Sequence, residues 1–150
     1  MRRFTVIVMA VLLVLAGCGA DKAIEEGFDS MTGHATSANI ASMNTTAQDA
    51  RNVVTNWLAH ESVSDGTYLV THGNGSWTSD LNSLSELFAD NFPSLGACKF
   101  LIVISGRTVN AAYWTDGGSL SWDSGGFGDG GNLISDGRLG DRAIGTSPIQ

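Results

Sequence analysis

The chain has 150 residues, a formal net charge of −7 and 43% hydrophobic residues. This length suits one domain plus a terminal segment, and the apolar fraction excludes a largely disordered chain. Arg2 and Arg3 belong to an N-terminal leader; without them, six basic residues stand against fifteen acidic ones, a charge of −9. Because such a surface repels nucleic-acid phosphates, we expect no nucleic-acid partner.

The N-terminal segment has the composition of an export signal. Arg2 and Arg3 precede the apolar or small residues 4–16. A charged start, a short apolar stretch and small residues at its end are typical of a secretory signal peptide. The apolar stretch is also shorter than the roughly 20 residues of a membrane-spanning helix. The sequence therefore predicts a signal peptide over residues 1–17.

The signal ends in the run Leu15-Ala16-Gly17-Cys18. This run resembles the lipobox of bacterial lipoproteins, which has an aliphatic residue, two small residues and a cysteine. The resemblance covers the first eighteen residues and implies cleavage before Cys18 and transfer of a diacylglycerol to its thiol. Lipid chains would supply the membrane attachment, at about 0.8 kcal/mol per buried CH₂, since anionic membranes would not attract this acidic domain. Two other interpretations stay open: an uncleaved signal anchor with an ordinary cysteine, and a prepilin leader.

Helical periodicity extends over about 21–61, in two apolar stripes. Between the stripes, residues 37–46 are rich in serine, asparagine and threonine, which favour helices weakly. The sequence predicts either one long amphipathic helix of about 40 residues or a tether followed by a helix over about 45–59. We accordingly divide the mature chain into a tether or first part of a long helix, 18–45, and a single α+β domain, 46–150. The stripes are Ile24, Phe28, Met31, Ala35 and Ala38, then Ala47, Ala50, Val54 and Trp57.

A strand and a second helix follow. Asp65-Gly66 is typical of a turn, and residues 67–71 of a short strand. Gly73 and Gly75 indicate a loop. A helix is then predicted that Thr78 or Ser79 caps and that ends before Pro93. Its apolar residues are Leu81, Leu84, Leu87 and Phe88.

Three strand-like segments come next. Residues 97–105 form a nearly continuous apolar run, as in a central strand. Residues 108–115 and 119–122 follow, and the turn sequence Asp116-Gly117 between them favours a hairpin. We therefore expect an α+β fold in which the long N-terminal amphipathic helix packs on a small antiparallel β-meander.

This layout, completed by a glycine-rich C-terminal loop, resembles that of type IV pilin-like proteins over residues 4–150. The resemblance implies a subunit of a surface filament or a secretion apparatus. Two positions depart from the family's pattern. Arg3 stands where pilin leaders end in glycine, and Val8 stands where the mature chain carries a glutamate.

The polar residues offer one weak catalytic grouping. Ser76 follows His72 on one loop, with Asp65 or Asp80 nearby in sequence. A catalytic nucleophile needs a base within hydrogen-bond reach, and adjacency along a loop is weak support for that. We expect a polar hairpin loop and no enzymatic activity, with a hydrolase as the less favoured alternative. The three histidines, His34, His60 and His72, lack partners at zinc-ligand spacing.

Calcium is the better metal candidate, because the C-terminal part places aspartates among glycines that permit tight turns. Residues 125–129 come close to the glycine- and aspartate-rich calcium nonapeptide. The favoured alternative is a solvated acidic loop, partly offset by Arg138 and Arg142, with no cofactor or metal. Residues 133–134 and 143–144 are expected to return to the core. The calcium candidates are Asp123, Asp129, Asp136 and Asp141.

The tryptophans and the second cysteine each have two interpretations. Trp57, Trp77, Trp114 and Trp122 could line a ligand or glycan platform, or pack in the core, with Trp114 and Trp122 as cross-strand neighbours. Cys98 begins the apolar run and is expected to be a buried, inert thiol; the alternative is a reactive or intermolecular thiol.

Taken with the lipobox resemblance, these features predict an exported lipoprotein with a structural or binding role. It would be attached through its lipid to a membrane of the bacterial cell envelope, facing the periplasm or the exterior. Its expected partners are the membrane, further copies of itself or other envelope proteins.

Overall fold

The computed structural model describes residues 37–134, 136–140 and 142–147. The leader, Cys18 and the first apolar stripe up to Ala35 lie outside these residues. Within them the chain is α+β, with two helices and antiparallel sheets. The described residues from Ala38 onward belong to one compact unit.

The first helix, α1, occupies residues 37–57 of the described chain. It confirms the helix expected over 45–59 and the second apolar stripe. Ala47, Ala50 and Val54 are fully buried, and Trp57 packs against the same core. The helix is therefore held by one apolar face, as its periodicity predicts.

The polar stretch 37–46 is also helical, despite its weak propensity. The hydroxyls of Thr45 and Thr46 donate hydrogen bonds to carbonyls four residues earlier, at 3.1 and 3.2 Å. Met43 from the same stretch is buried. Back-bonding satisfies the hydroxyls and burial of Met43 adds packing, so tertiary contact outweighs propensity here.

Ten strands and a second helix follow α1. Helix α2 spans Asn82–Asn91 and lies between β2 and β3. Five strands form the central sheet in the order β2-β1-β3-β4-β10, three form a small sheet β5-β6-β7, and β8 pairs with β9. The strands are β1 Gly66–Gly73, β2 Ser76–Ser79, β3 Cys98–Ser105, β4 Thr108–Trp114, β5 Ser121–Asp123, β6 Gly126–Asp129, β7 Asn132–Leu133, β8 Arg138–Leu139, β9 Arg142–Ala143 and β10 Gly145–Thr146.

The second helix agrees with its prediction except at its start. Leu84 and Phe88 are buried, and the helix ends before Pro93. Its N-cap residue is Leu81, however, and neither predicted residue caps it. Thr78 lies in β2, and the hydroxyl of Ser79 accepts the N–H of Leu81 at 3.3 Å, just before the first turn.

The predicted meander is wrong beyond one hairpin. Strands β3 and β4 form the expected pair, closed by a tight turn in which Gly106 has a φ of 62°. The third predicted strand does not join them: β5 pairs with β6 in the small sheet, and the edge of β4 pairs with β10. The chain leaves the central sheet at bends over residues 116–118, where Gly118 has a φ of 99°. Asp116-Gly117 thus turns the chain without closing a hairpin.

The glycine-rich tail is not a loop but a series of short hairpins. Two residues connect β5 to β6, β6 to β7 and β8 to β9. Between β6 and β7, Gly130 and Gly131 have φ values of 56° and 86°, as a type I′ turn requires. Ile144 returns to the core as expected, whereas Leu133 is 48% exposed.

The central sheet has two faces with different coverings. We call the face that carries Val70, Phe100 and Tyr113 the helix face. The ring of Phe88 from α2 lies 5.0 Å from that of Phe100 there. Successive strand residues point to alternate faces, so Leu101 and its cross-strand partners Leu69 and Ala112 lie on the other side of the sheet. We call this side the opposite face.

Helix α1 also lies on the helix face, against the last strand. Gly145 pairs with Tyr113, so a side chain at position 145 would point to the helix face. A Cβ there would collide with the backbone carbonyl of Met43. Asn44 Oδ1 accepts the N–H of Thr146 at 2.8 Å. Residues 43–44 of α1 and strand β10 are therefore in direct contact.

We predict that Gly145→Ala destabilises the protein by about 1–3 kcal/mol, because the added methyl group forces α1 away from β10. Gly73→Ala is the matched control in a strand of the same sheet, since a Cβ at Gly73 meets no atom within 4 Å. The measurement is urea unfolding of both variants beside the unmodified chain. Equal midpoints for the three proteins would contradict the close approach of α1.

Candidate functional site

The loop that carries His72 and Ser76 is a tight hairpin. Asn74 and Gly75 form its turn with φ values of 53° and 77°, the type I′ pattern of an Asn-Gly pair. His72 pairs with Trp77 across the strands, and their rings stack with centroids 4.7 Å apart. Because alternate residues point to opposite faces, Ser76 points away from His72.

The polar atoms of this loop are engaged elsewhere. The hydroxyl of Ser76 donates to the carbonyl of Gly73 at 3.3 Å, and His72 Nδ1 lies 3.0 Å from the carbonyl oxygen of Gly96. Asp65 accepts the N–H of Gly106 at 2.7 Å, which fixes the β3–β4 turn. The hairpin thus separates the serine and the histidine that sequence adjacency brings together.

Two aspartates of the tail shape its turns. Asp123 Oδ1 accepts the N–H of Gly125 at 2.8 Å, and Asp136 Oδ1 accepts that of Arg138 at 3.1 Å. Asp129 lies 3.9 Å from the guanidinium of Arg142.

Among the described residues, no three histidine, cysteine, aspartate or glutamate side chains lie close enough together to hold a metal ion. Asp141 and His34 lie outside those residues. The calcium hypothesis stays a prediction, and the contacts give Asp123 and Asp136 a structural role without it.

The tryptophans do not form one platform. Trp114 lies in β4 opposite Lys99, and Trp122 lies in β5 opposite Phe127, so the two indoles are not the expected cross-strand pair. Trp122 instead makes an edge-on contact with Phe127 at 4.7 Å. On the helix face, the ring centroids of Trp77 and Phe88 are 5.5 Å apart. Core packing accounts for these indoles.

Cys98 is a buried free thiol at the start of β3. Only 4% of the residue is exposed, and this burial raises its pKa from 9.0 to about 11. Burial also raises the pKa of Tyr113, with a smaller effect from the negative charge of a Cys98 thiolate. A thiol held neutral in this way is a poor nucleophile, which agrees with the inert interpretation.

The sequence did not indicate a small depression on the opposite face. It has a volume of about 110 Å³ and lies between β1, β3, β4 and the segment that leads to β5. Leu69 is 39% exposed beside it, while Leu101 and Leu120 are buried. The lining residues are Leu69, Lys99, Leu101, Trp114, Gly118, Ser119 and Leu120.

Two residues that line this depression carry hydrogen-bond donors without a good acceptor. Lys99 Nζ donates only a long bond, 3.5 Å, to the carbonyl of Gly118. Trp114 Nε1 is buried and has no hydrogen-bond partner within the described part of the chain. The one feature of the sequence that could have indicated this depression was Lys99, the only charged residue in the apolar run of β3.

No protein-family model, curated protein or solved structure matches this chain. Of the helices in the described ranges, none is long and apolar enough to cross a membrane.

We predict that Cys98 resists alkylation in the native protein. A pKa about two units above 9.0 lowers the thiolate fraction at pH 8 about 100-fold. Peptide mapping after treatment with iodoacetamide should find Cys98 unmodified at pH 8 and modified once urea is added. Rapid native alkylation of Cys98 at pH 8 would contradict this.

The raised pKa of Cys98 belongs to the folded state. The free energy of unfolding should therefore fall as pH rises from 9 to about 11.

Proposed function

We propose that this chain is an exported bacterial lipoprotein. Lipid on Cys18 would attach it to a membrane, and its α+β domain would have a binding or structural role outside the cytoplasm. The observation that carries the proposal is the run Leu15-Ala16-Gly17-Cys18, which ends a segment with the charge and length of a secretory signal.

The position of the compact unit is compatible with this anchor. Cys18 precedes Ala38, where the unit begins, by 20 positions. The described core is built from α1 and later elements, so acylation of Cys18 requires no change in those core contacts. Two acyl chains, or one with a second signal, give stable membrane attachment where a single chain gives only reversible binding.

The non-enzymatic part of the proposal is supported by how the polar side chains are used. The hydroxyl of Ser76 and the carboxylates of Asp65 and Asp123 bond to backbone groups that shape turns. Such bonds hold loops in place, whereas a nucleophile must be directed at a base and a substrate.

We predict that Cys18→Ser abolishes acylation and leaves an unprocessed precursor or a mislocalised protein. The hydroxyl cannot replace the thiol that accepts the diacylglycerol. Intact-mass analysis of the membrane-extracted protein separates acylated, cleaved and uncleaved chains. Cys98→Ala is the matched control and should be processed like the unmodified chain, because Cys98 is a buried residue of β3. Normal maturation and lipid labelling of Cys18→Ser would refute the lipoprotein proposal.

A second candidate is a pilin-like subunit of a filament or a secretion apparatus. The observation that favours it is the placement of α1 on the helix face of an antiparallel sheet, where Gly145 lies against the backbone carbonyl of Met43. In this proposal the apolar stripe Ile24, Phe28 and Met31 would continue the helix and pack against neighbouring subunits.

Crosslinking in native membranes distinguishes the two candidates. A pilin-like subunit should give ladders of crosslinked species, and Phe28→Asp should remove them by placing a charge in the subunit contact. Leu133→Asp is the control, since Leu133 is exposed on the small sheet and far from that stripe in sequence. Monomers alone, with residues 21–45 cut readily by protease, would exclude the filament and favour a tethered binding domain.

A further inference from the structure

We propose that the depression on the opposite face binds a small apolar monocarboxylate. This inference deepens the binding role proposed above by giving it a ligand class.

The walls of the depression suit a short apolar body. Leu69 and Leu101 face each other across β1 and β3, and Leu120 lines the depression with them. An apolar cavity of about 150 Å³ accepts benzene, so about 110 Å³ suits a body of about four to six heavy atoms. Leu69 is 39% exposed, and a bound apolar group would remove part of this surface from water.

The charge at its rim selects an anion. Lys99 makes no ion pair with any described carboxylate, and its ammonium has only the 3.5 Å contact with Gly118. Most of this acidic chain, which has a charge of −7, would repel an anion, so the Lys99 ammonium is the group at this depression that can attract one. A ligand carboxylate could form a charge-assisted hydrogen bond with it at about 2.7–2.9 Å.

The indole supplies a second donor. Trp114 pairs directly with Lys99 across β4 and β3, so both side chains are on the opposite face. A buried N–H without an acceptor is unfavourable, and Trp114 Nε1 lacks one among the described residues. Trp114 is fully buried, so a carboxylate oxygen beside Lys99 would supply the acceptor that this N–H lacks once the atoms covering Nε1 move aside.

The same features disfavour other ligand classes. Lys99 repels metal cations and amines. A phosphate brings more negative charge than one ammonium neutralises, against walls made of leucine. A neutral alcohol can enter the apolar part but forms no charge-assisted bond. The monocarboxylate is the class that matches one cation, one further donor and an apolar body.

The probe is 4,4,4-trifluorobutyrate, observed by ¹⁹F NMR with the full-length mature chain in lipid nanodiscs. Empty nanodiscs correct for partitioning into lipid. We expect saturable binding with a Kd on the order of 1 mM, given the few heavy atoms of the probe. The neutral analogue 4,4,4-trifluorobutan-1-ol should bind at least about tenfold more weakly, because it lacks the charge-assisted bond.

Lys99→Met keeps the apolar stem of the side chain and removes its charge. It should weaken binding of the carboxylate at least about tenfold and change binding of the alcohol less than about twofold. Arg107→Met is the matched control, since Arg107 is an exposed cation at the β3–β4 turn, and it should bind the carboxylate normally. Far-UV circular dichroism checks the fold; if Lys99→Met does not fold, Lys99→Gln replaces it.

The inference is overturned if the unmodified chain shows no protein-dependent binding at about ten times the expected Kd. Equal affinity for acid and alcohol, or no effect of removing the Lys99 charge, would also overturn it. The anchor is judged separately by mass analysis of the same preparation. Binding by an unacylated chain refutes only the anchor, and an acylated chain without binding refutes only the ligand site.

Discussion

The domain depends on the contact between helix α1 and strand β10. Asn44 and Thr146 are separated by 102 positions, yet the Asn44 side chain satisfies a backbone N–H of β10. Gly145 permits this contact because it has no Cβ to meet the carbonyl of Met43. The same contact occupies the outer edge of a two-residue strand that would otherwise expose unpaired backbone groups. Ser147 extends the pairing, since its N–H and its hydroxyl both bond to the backbone of Ala111 at 2.8 Å.

Strand β3 lies between β1 and β4 and is buried on both faces over most of its length. The helices cover one face, where Phe88 contacts Phe100, and residues such as Leu120 join the core from the C-terminal part. This explains why β3 is nearly continuously apolar instead of alternating. It also explains why Lys99 is exceptional: a charge in such a strand is tolerated only where the covering is incomplete. The depression beside Leu69 is that place.

The helices and the β3–β4 hairpin could be predicted because their signals are local. Apolar spacing placed Ala47, Ala50 and Val54 on one helical face, and the apolar run marked β3. The strand order could not be predicted in this way. Asp116-Gly117 indicates a reversal of the chain, but a turn sequence does not specify which strand becomes the neighbour. Strand β10 has two residues and no periodicity, so its pairing with β4 depends on contacts with a helix residue 102 positions away.

The candidate site was hidden from sequence for a related reason. The residues that drew attention, His72 with Ser76 and the aspartates of the tail, are close in sequence. Among them, His72, Ser76, Asp123 and Asp136 contact backbone groups. The depression instead joins Leu69, Lys99, Trp114 and Leu120 from four separate segments, and register alone puts them on one face. Within it two donors face a shortage of acceptors, which is the reverse of the balance expected for an acidic chain. A ligand that supplies negatively charged oxygen would therefore match the donors of these lining residues, whereas a cation would be repelled by the Lys99 ammonium.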